Sequence, residues 1–200
     1  TRRPGWEHAG TEAIPASHTE TQTLFLRSDG SLSEVAPDSA DTHANINNVP
    51  LDDQYGLAGA LNDDLEGVPK ALKYEVVSFE SAPMDAAHEI LGTCRFDFHT
   101  MPNRAVLQVN AELLDVAPDG ATTLITRSQW GTRTAEPGRY LRVAFDARTI
   151  GYVVSAGHRI RLSVSNYDHE YAVPYFEPFI ARLYHDNSRS SVVTLPFRTT

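Results

Sequence analysis

The run Cys94-Arg95-Phe96-Asp97-Phe98 alternates apolar and charged side chains, and Arg159-Ile160-Arg161-Leu162 repeats the alternation. A period of two is the pattern of a β-strand that buries one face. From Lys73 onward, segments rich in β-branched and aromatic residues recur at short intervals between turn residues. They predict strands over residues 73–80, 90–99, 105–116, 122–129, 140–145, 159–165, 179–185 and 191–197.

The part of the chain before Lys73 is less regular. Residues 22–36 predict a hairpin around the turn Ser28-Asp29-Gly30-Ser31, and residues 1–21 predict an N-terminal arm. Residues 37–72 are rich in Asp, Asn, Ala and Gly and predict a long loop, in which only residues 55–61 have the composition of a short helix. A loop of that length often lies at a functional or interdomain surface.

Many short strands with no helix between them favour antiparallel sheets over a parallel α/β sheet. We therefore predict an all-β fold, an antiparallel β-sandwich of jelly-roll type, with residues 73–200 supplying the core strands. The chain has 200 residues, 41% of them hydrophobic, which is enough for one sizeable core. A single domain over residues 1–200 is expected.

The net charge and the composition limit the classes of partner that this chain can bind. The formal net charge of −9 repels phosphate backbones and anionic lipid surfaces, so neither nucleic acid nor a membrane is an expected partner. No apolar run approaches the length that spans a bilayer. The single cysteine, Cys94, allows no intrachain disulfide and favours a cytoplasmic over a secreted protein. The chain starts at Thr1 without a methionine, which suggests a piece of a longer protein.

The motifs of hydrolytic chemistry are missing from the sequence. An α/β hydrolase holds its nucleophile in a Gly-x-Ser-x-Gly turn, and neither Ser31 nor Ser155 stands in that pattern. We predict no catalytic residue in this chain.

Metal and cofactor motifs are also missing. His88-Glu89 and His169-Glu170 each lack the second histidine four positions after the first, because Gly92 and Val173 stand there. We predict no cofactor and no metal ligand, although the acidic residues around Asp52 and Asp63 leave a loop calcium as an alternative to a solvated acidic surface.

An aromatic and acidic stretch over residues 166–179 is too apolar for an ordinary loop. Exposed aromatic side chains bury a large area on contact, so the stretch predicts an interface, a substrate rim or a sugar platform. The alternative is that these aromatics fold over the end of their own sandwich. The candidate interface or rim residues are Tyr167, Asp168, His169, Tyr171, Tyr175 and Phe176, together with Trp130.

Two segments carry a family resemblance. Residues 111–126, which include Leu-Leu-Asp-Val-Ala-Pro-Asp-Gly, and residues 145–165, which include Ala-Gly-His-Arg-Ile-Arg-Leu, resemble the C-terminal non-catalytic domain of the Xaa-Pro dipeptidyl-peptidase and cocaine esterase (CocE/NonD) family of hydrolases. Residues 24–32 and 184–197 are similar as well. Residues 38–70 and the long loop after Ser165 depart from the family pattern.

The resemblance implies a galactose-binding-domain-like jelly roll packed against an α/β-hydrolase domain. That domain, in the same or a separate chain, supplies the Ser-Asp-His triad for acyl transfer on peptides, esters or amides. His158 is expected to be structural, since Ala156-Gly157 form a turn that starts the next strand.

Three functional hypotheses follow. The first is an accessory domain of a serine hydrolase, of dipeptidyl-peptidase or esterase type, which shapes the substrate rim and has no activity alone. The second is a free-standing carbohydrate-binding module that stacks sugars on Tyr167, Tyr171 and Tyr175. The third is a hydrolase with an unusual triad within these residues. A homo-oligomer is a further possibility.

Overall fold

A computed structural model describes residues 19–40, 42–48, 76–166 and 179–198. In these ranges the chain forms β-strands and no helix, so no helix is present there that could cross a membrane. The strands are β1 (Thr19–Leu26), β2 (Ser31–Ser33), β3 (His43–Asn48), β4 (Val77–Ser81), β5 (His88–Pro102), β6 (Leu107–Val116), β7 (Thr122–Thr132), β8 (Leu141–Val154), β9 (Arg159–Ser165), β10 (Phe179–Tyr184) and β11 (Val192–Arg198).

The strands form a mostly antiparallel sheet that folds over one core. Their hydrogen-bonded order is β3-β10-β5-β11-β1-β2-β4-β9-β6-β7, and β8 pairs with the other edge of β5. Among these pairs only β2 and β4 run parallel. The Ser128 hydroxyl of β7, at one end of this order, donates to the Asp146 carbonyl of β8 at 2.8 Å. The predicted all-β sandwich is confirmed.

The core follows from the alternation seen in the sequence. Along β5, every second residue from Ile90 to Thr100 is buried and the residues between them are more exposed. Phe96 packs on Phe98 of the same strand and on Phe145 of β8, with ring centroids 5.9 and 5.2 Å apart. Leu162 and Val164 of β9 are fully buried in the same cluster. Burial of these side chains is the main stabilising term.

Two local predictions need correction. Within the predicted hairpin of residues 22–36, β1 pairs with β2, and the Arg27 N–H donates to the Ser31 carbonyl across the turn. The loop over residues 37–72, however, contains strand β3, which pairs with β10 far along the chain. The strand predicted over residues 140–145 continues to Val154 as β8, because β5 offers a partner over that whole length. The possible helix over residues 55–61 lies outside the described residues.

Candidate functional site

A buried carboxylate joins three elements at one end of the sandwich. Asp115, at the end of β6, accepts a hydrogen bond from the Tyr152 hydroxyl of β8 at 2.9 Å. Its other oxygen lies 2.7 Å from Nδ1 of His158, in the turn between β8 and β9. Because an ionised carboxylate only accepts, Nδ1 carries the proton of that bond. β6 and β8 are not sheet neighbours, so this cluster ties two layers together.

The Asp115 cluster has half of the geometry of a hydrolase triad. A carboxylate that holds an imidazole through Nδ1 leaves Nε2 for a nucleophile. Among the described residues, no hydroxyl is hydrogen-bonded to that second nitrogen. Burial, followed by the hydrogen bond to Asp115, raises the pKa of Tyr152 to about 12, so this phenol is a donor and not a base at neutral pH. The arrangement supports a structural role for His158.

The two serines considered as nucleophiles, Ser31 and Ser155, both lie in hydrogen-bonded turns. The Ser31 hydroxyl donates to Asp29 Oδ1 at 2.6 Å within the β1–β2 turn. The Ser155 carbonyl accepts the His158 N–H at 3.1 Å in the turn before β9. Neither stands on a strand-to-helix elbow, since the described residues contain no helix.

Trp130 is the one rim candidate within the described ranges. It lies on β7 opposite Val109 of β6 and is half-buried against the hydrophobic core. Its ring therefore contributes to packing as well as to the surface. The other rim candidates, Tyr167, Asp168, His169, Tyr171, Tyr175 and Phe176, lie outside the described residues.

Histidine and acidic side chains do not gather into a metal site in the ranges that the structure describes. His88 is hydrogen-bonded to the exposed Asp85 at 3.0 Å and packs edge-on against Phe197. Cys94 is buried in the core, which raises the pKa of its thiol to about 12. The thiol is therefore protonated and packs as a small hydrophobic group.

Comparison with known proteins assigns the family. A family model described as the X-Pro dipeptidyl-peptidase C-terminal non-catalytic domain matches residues 4–178. The chain belongs to this family. Asp115, Tyr152 and His158 all lie in the two segments that carried the resemblance, and His158 alone of the three was considered individually in the sequence. The sequence signal for this cluster was an aspartate near the end of one strand and a histidine just before another. Nothing in the sequence showed that these two side chains are in contact.

Solved structures give the same fold for this X-Pro dipeptidyl-peptidase C-terminal domain. An aminopeptidase from a marine sediment Thaumarchaeota archaeon matches 90% of the chain with a TM-score of 0.70 and 12% identity. An α-amino acid ester hydrolase matches 89% with a TM-score of 0.68 and 17% identity. A CocE/NonD family hydrolase from Staphylococcus aureus matches 91% with a TM-score of 0.68 and 11% identity.

The chain is much shorter than those proteins. It covers 37%, 36% and 37% of the three solved chains in turn. No curated protein sequence matches it. The family membership and the low-identity matches establish a jelly-roll-type domain that the family describes as non-catalytic.

Proposed function

We propose that this chain is the accessory domain of an α/β serine hydrolase, of Xaa-Pro dipeptidyl-peptidase or esterase type. The observation that carries the proposal is the family match over residues 4–178. Further support comes from the solved chains, in which a domain of this fold occupies little more than a third of a larger hydrolase or aminopeptidase. In this role the domain packs on the catalytic domain and stabilises it.

The test compares the chain with the complete polypeptide that its gene encodes. Turnover of Xaa-Pro-nitroanilides and short-chain esters is measured for both at equal molar concentration. We expect turnover by the complete polypeptide and none by the 200-residue chain. Saturable turnover by the chain alone, abolished by His158→Gln but not by the control His88→Gln, would refute the proposal.

We further propose that the aromatic stretch over residues 167–176 forms part of the substrate rim. Tyr171→Ala and Tyr175→Ala in the complete polypeptide should raise KM for peptide substrates more than they change kcat, because a rim residue contributes binding and not chemistry. Leu124→Ala is the control, since Leu124 is an exposed apolar residue on β7. Unchanged KM values for both tyrosine variants would exclude the rim role.

A further inference from the structure

A cleft of about 400 Å³ opens at one end of the sandwich. The turn between β1 and β2, the first residues of β3, the first residues of β4, and His185 line it. This volume lies within the range of roughly 300–1,000 Å³ that is usual for ligand sites. The Asp115 cluster is not part of its lining.

One wall of the cleft is a strand edge that no described strand covers. The Thr42 carbonyl accepts the His185 N–H at 3.1 Å. The backbone N–H and C=O groups of Thr42 and of every second residue after it, Ala44 and Ile46, therefore point to β10. The N–H and C=O groups of His43 and Asn45 therefore point to the opposite side. No described strand pairs with that side of β3, which stands at one end of the strand order.

A second backbone site in the cleft lining, at Ser78, also has no partner among the residues that the structure describes. Glu80 N–H donates to the Gly30 carbonyl at 2.9 Å, on the side of β4 that faces β2. Ser78, two residues earlier, directs its own N–H and C=O to the same side. Gly30 N–H is already donated to the Arg27 carbonyl, and the pairing of β2 with β4 covers only Glu80 and Ser81. Ser78 thus presents a donor and an acceptor to the cleft.

A buried histidine lines the same space. His185 is 6% exposed and packs edge-on against Phe79 with centroids 5.8 Å apart, and its Nδ1 has no hydrogen-bond partner within the described ranges. Burial lowers its pKa below the ordinary value of 6.5. The imidazole is therefore neutral near pH 7, and it suits an uncharged polar group better than a carboxylate.

We propose that this cleft binds an extended peptide segment of the associated hydrolase domain, which adds as a strand to the outer edge of β3. An extended peptide presents N–H and C=O groups along both of its edges, which matches backbone groups on two facing walls. The inference rests on the proposed function for the source of the segment.

The sequence of β3 favours the addition of a strand to its outer edge, as opposed to exposure of that edge to solvent. Natural edge strands are usually blocked by charged residues, proline or a bulge. Residues 43–48 read His-Ala-Asn-Ile-Asn-Asn and contain no charged residue of the Lys, Arg, Asp or Glu type and no proline. This chain covers only 37% of each of two solved chains of similar fold, so the remainder of such a polypeptide can provide the strand.

The test uses the 200-residue chain, labelled with ¹⁵N, and the blocked peptide acetyl-Thr-Val-Thr-Val-Thr-amide as the probe. Titration should shift the amide signals of His43, Asn45 and Ser78 saturably, with a dissociation constant in the millimolar range because the probe is short. Asn45→Pro removes an N–H that does not pair with β10, so we expect at least about tenfold weaker binding and an otherwise preserved spectrum. Asn45→Thr keeps the N–H and should bind as the parent does.

Three results would overturn the inference: no saturable shift, shifts confined to another edge such as β7, or equal binding by the Asn45→Pro and Asn45→Thr variants. If the proline variant does not fold, the shift map of the parent chain alone decides. A negative titration leaves the proposed function standing. Hydrolytic turnover by the chain alone would refute the proposed function but would not alter the titration result.

Discussion

At the scale of single residues, Asp115 joins β6, β8 and the turn before β9. Asp115→Ala leaves the Tyr152 hydroxyl and His158 Nδ1 without their acceptor. We expect the free energy of unfolding to fall by about 1–3 kcal/mol, because part-buried donors that lose their acceptor regain only part of their hydration. Urea unfolding measures the change. Asp85→Ala, which removes an exposed carboxylate bonded to His88, should cost much less, because solvent screens an exposed pair; equal costs would contradict this account.

Tyr152 gives the domain a pH dependence on the alkaline side. Its pKa is raised from 10.0 to about 12, mainly by burial. The phenol ionises more readily in the unfolded chain, so the stability it contributes is complete below pH 10 and is lost as the pH rises towards 12. We expect the difference in Tm between the parent and Tyr152→Phe to shrink across that window. A difference that stays constant from pH 9 to pH 12 would show that Tyr152 does not titrate as described.

At the scale of elements, the sequence predicted best those strands whose own side chains alternate. β5 and the first half of β9 bury every second side chain in the core, so their pattern could be recognised directly. The second half of β8 lacks that signal, with Val153 exposed and Gly151 in its middle, and it is a strand because β5 pairs with it. β3 contains three asparagines, which disfavour strands, and its pairing with β10 overrides that preference.

Gly92 is the point where β5 depends on a glycine. Its φ is +136°, and a Cβ there would lie 3.1 Å from Cγ of Pro196 on β11. Gly92→Ala should destabilise the domain by about 1–3 kcal/mol through backbone strain and the close approach. Gly151→Ala on the paired strand is the matched control, since its φ is not positive and its nearest neighbour, Leu91 Cδ1, is at 3.6 Å. Thermal unfolding of both variants decides, and equal losses would refute the strain at Gly92.

At the scale of the whole molecule, we propose that the 200-residue chain is one domain. Buried residues of strands from β1 to β11 belong to a single hydrophobic cluster, so unfolding should be cooperative. Far-UV circular dichroism and tryptophan fluorescence should then give coincident transitions. Two separate unfolding transitions would show that the chain contains more than one domain and would contradict the proposal.

The candidate site was less predictable than the fold. The fold class follows from strand patterns that repeat along the chain, whereas the Asp115 cluster depends on side chains from β6, β8 and a turn meeting at one end. The outer edge of β3, which no described strand covers, depends on which residues of β3 face β10, and that register is a product of the whole sheet. Such contacts are non-local, and no local pattern encodes them.

The assignment of catalysis to a different domain is tested most directly by labelling the complete polypeptide with a fluorophosphonate probe and locating the modified serine by mass spectrometry. We predict a single modified serine outside the 200 residues of this chain, in a Gly-x-Ser-x-Gly sequence. A modified serine within these residues, above all one whose labelling disappears in Asp115→Asn, would contradict the assignment.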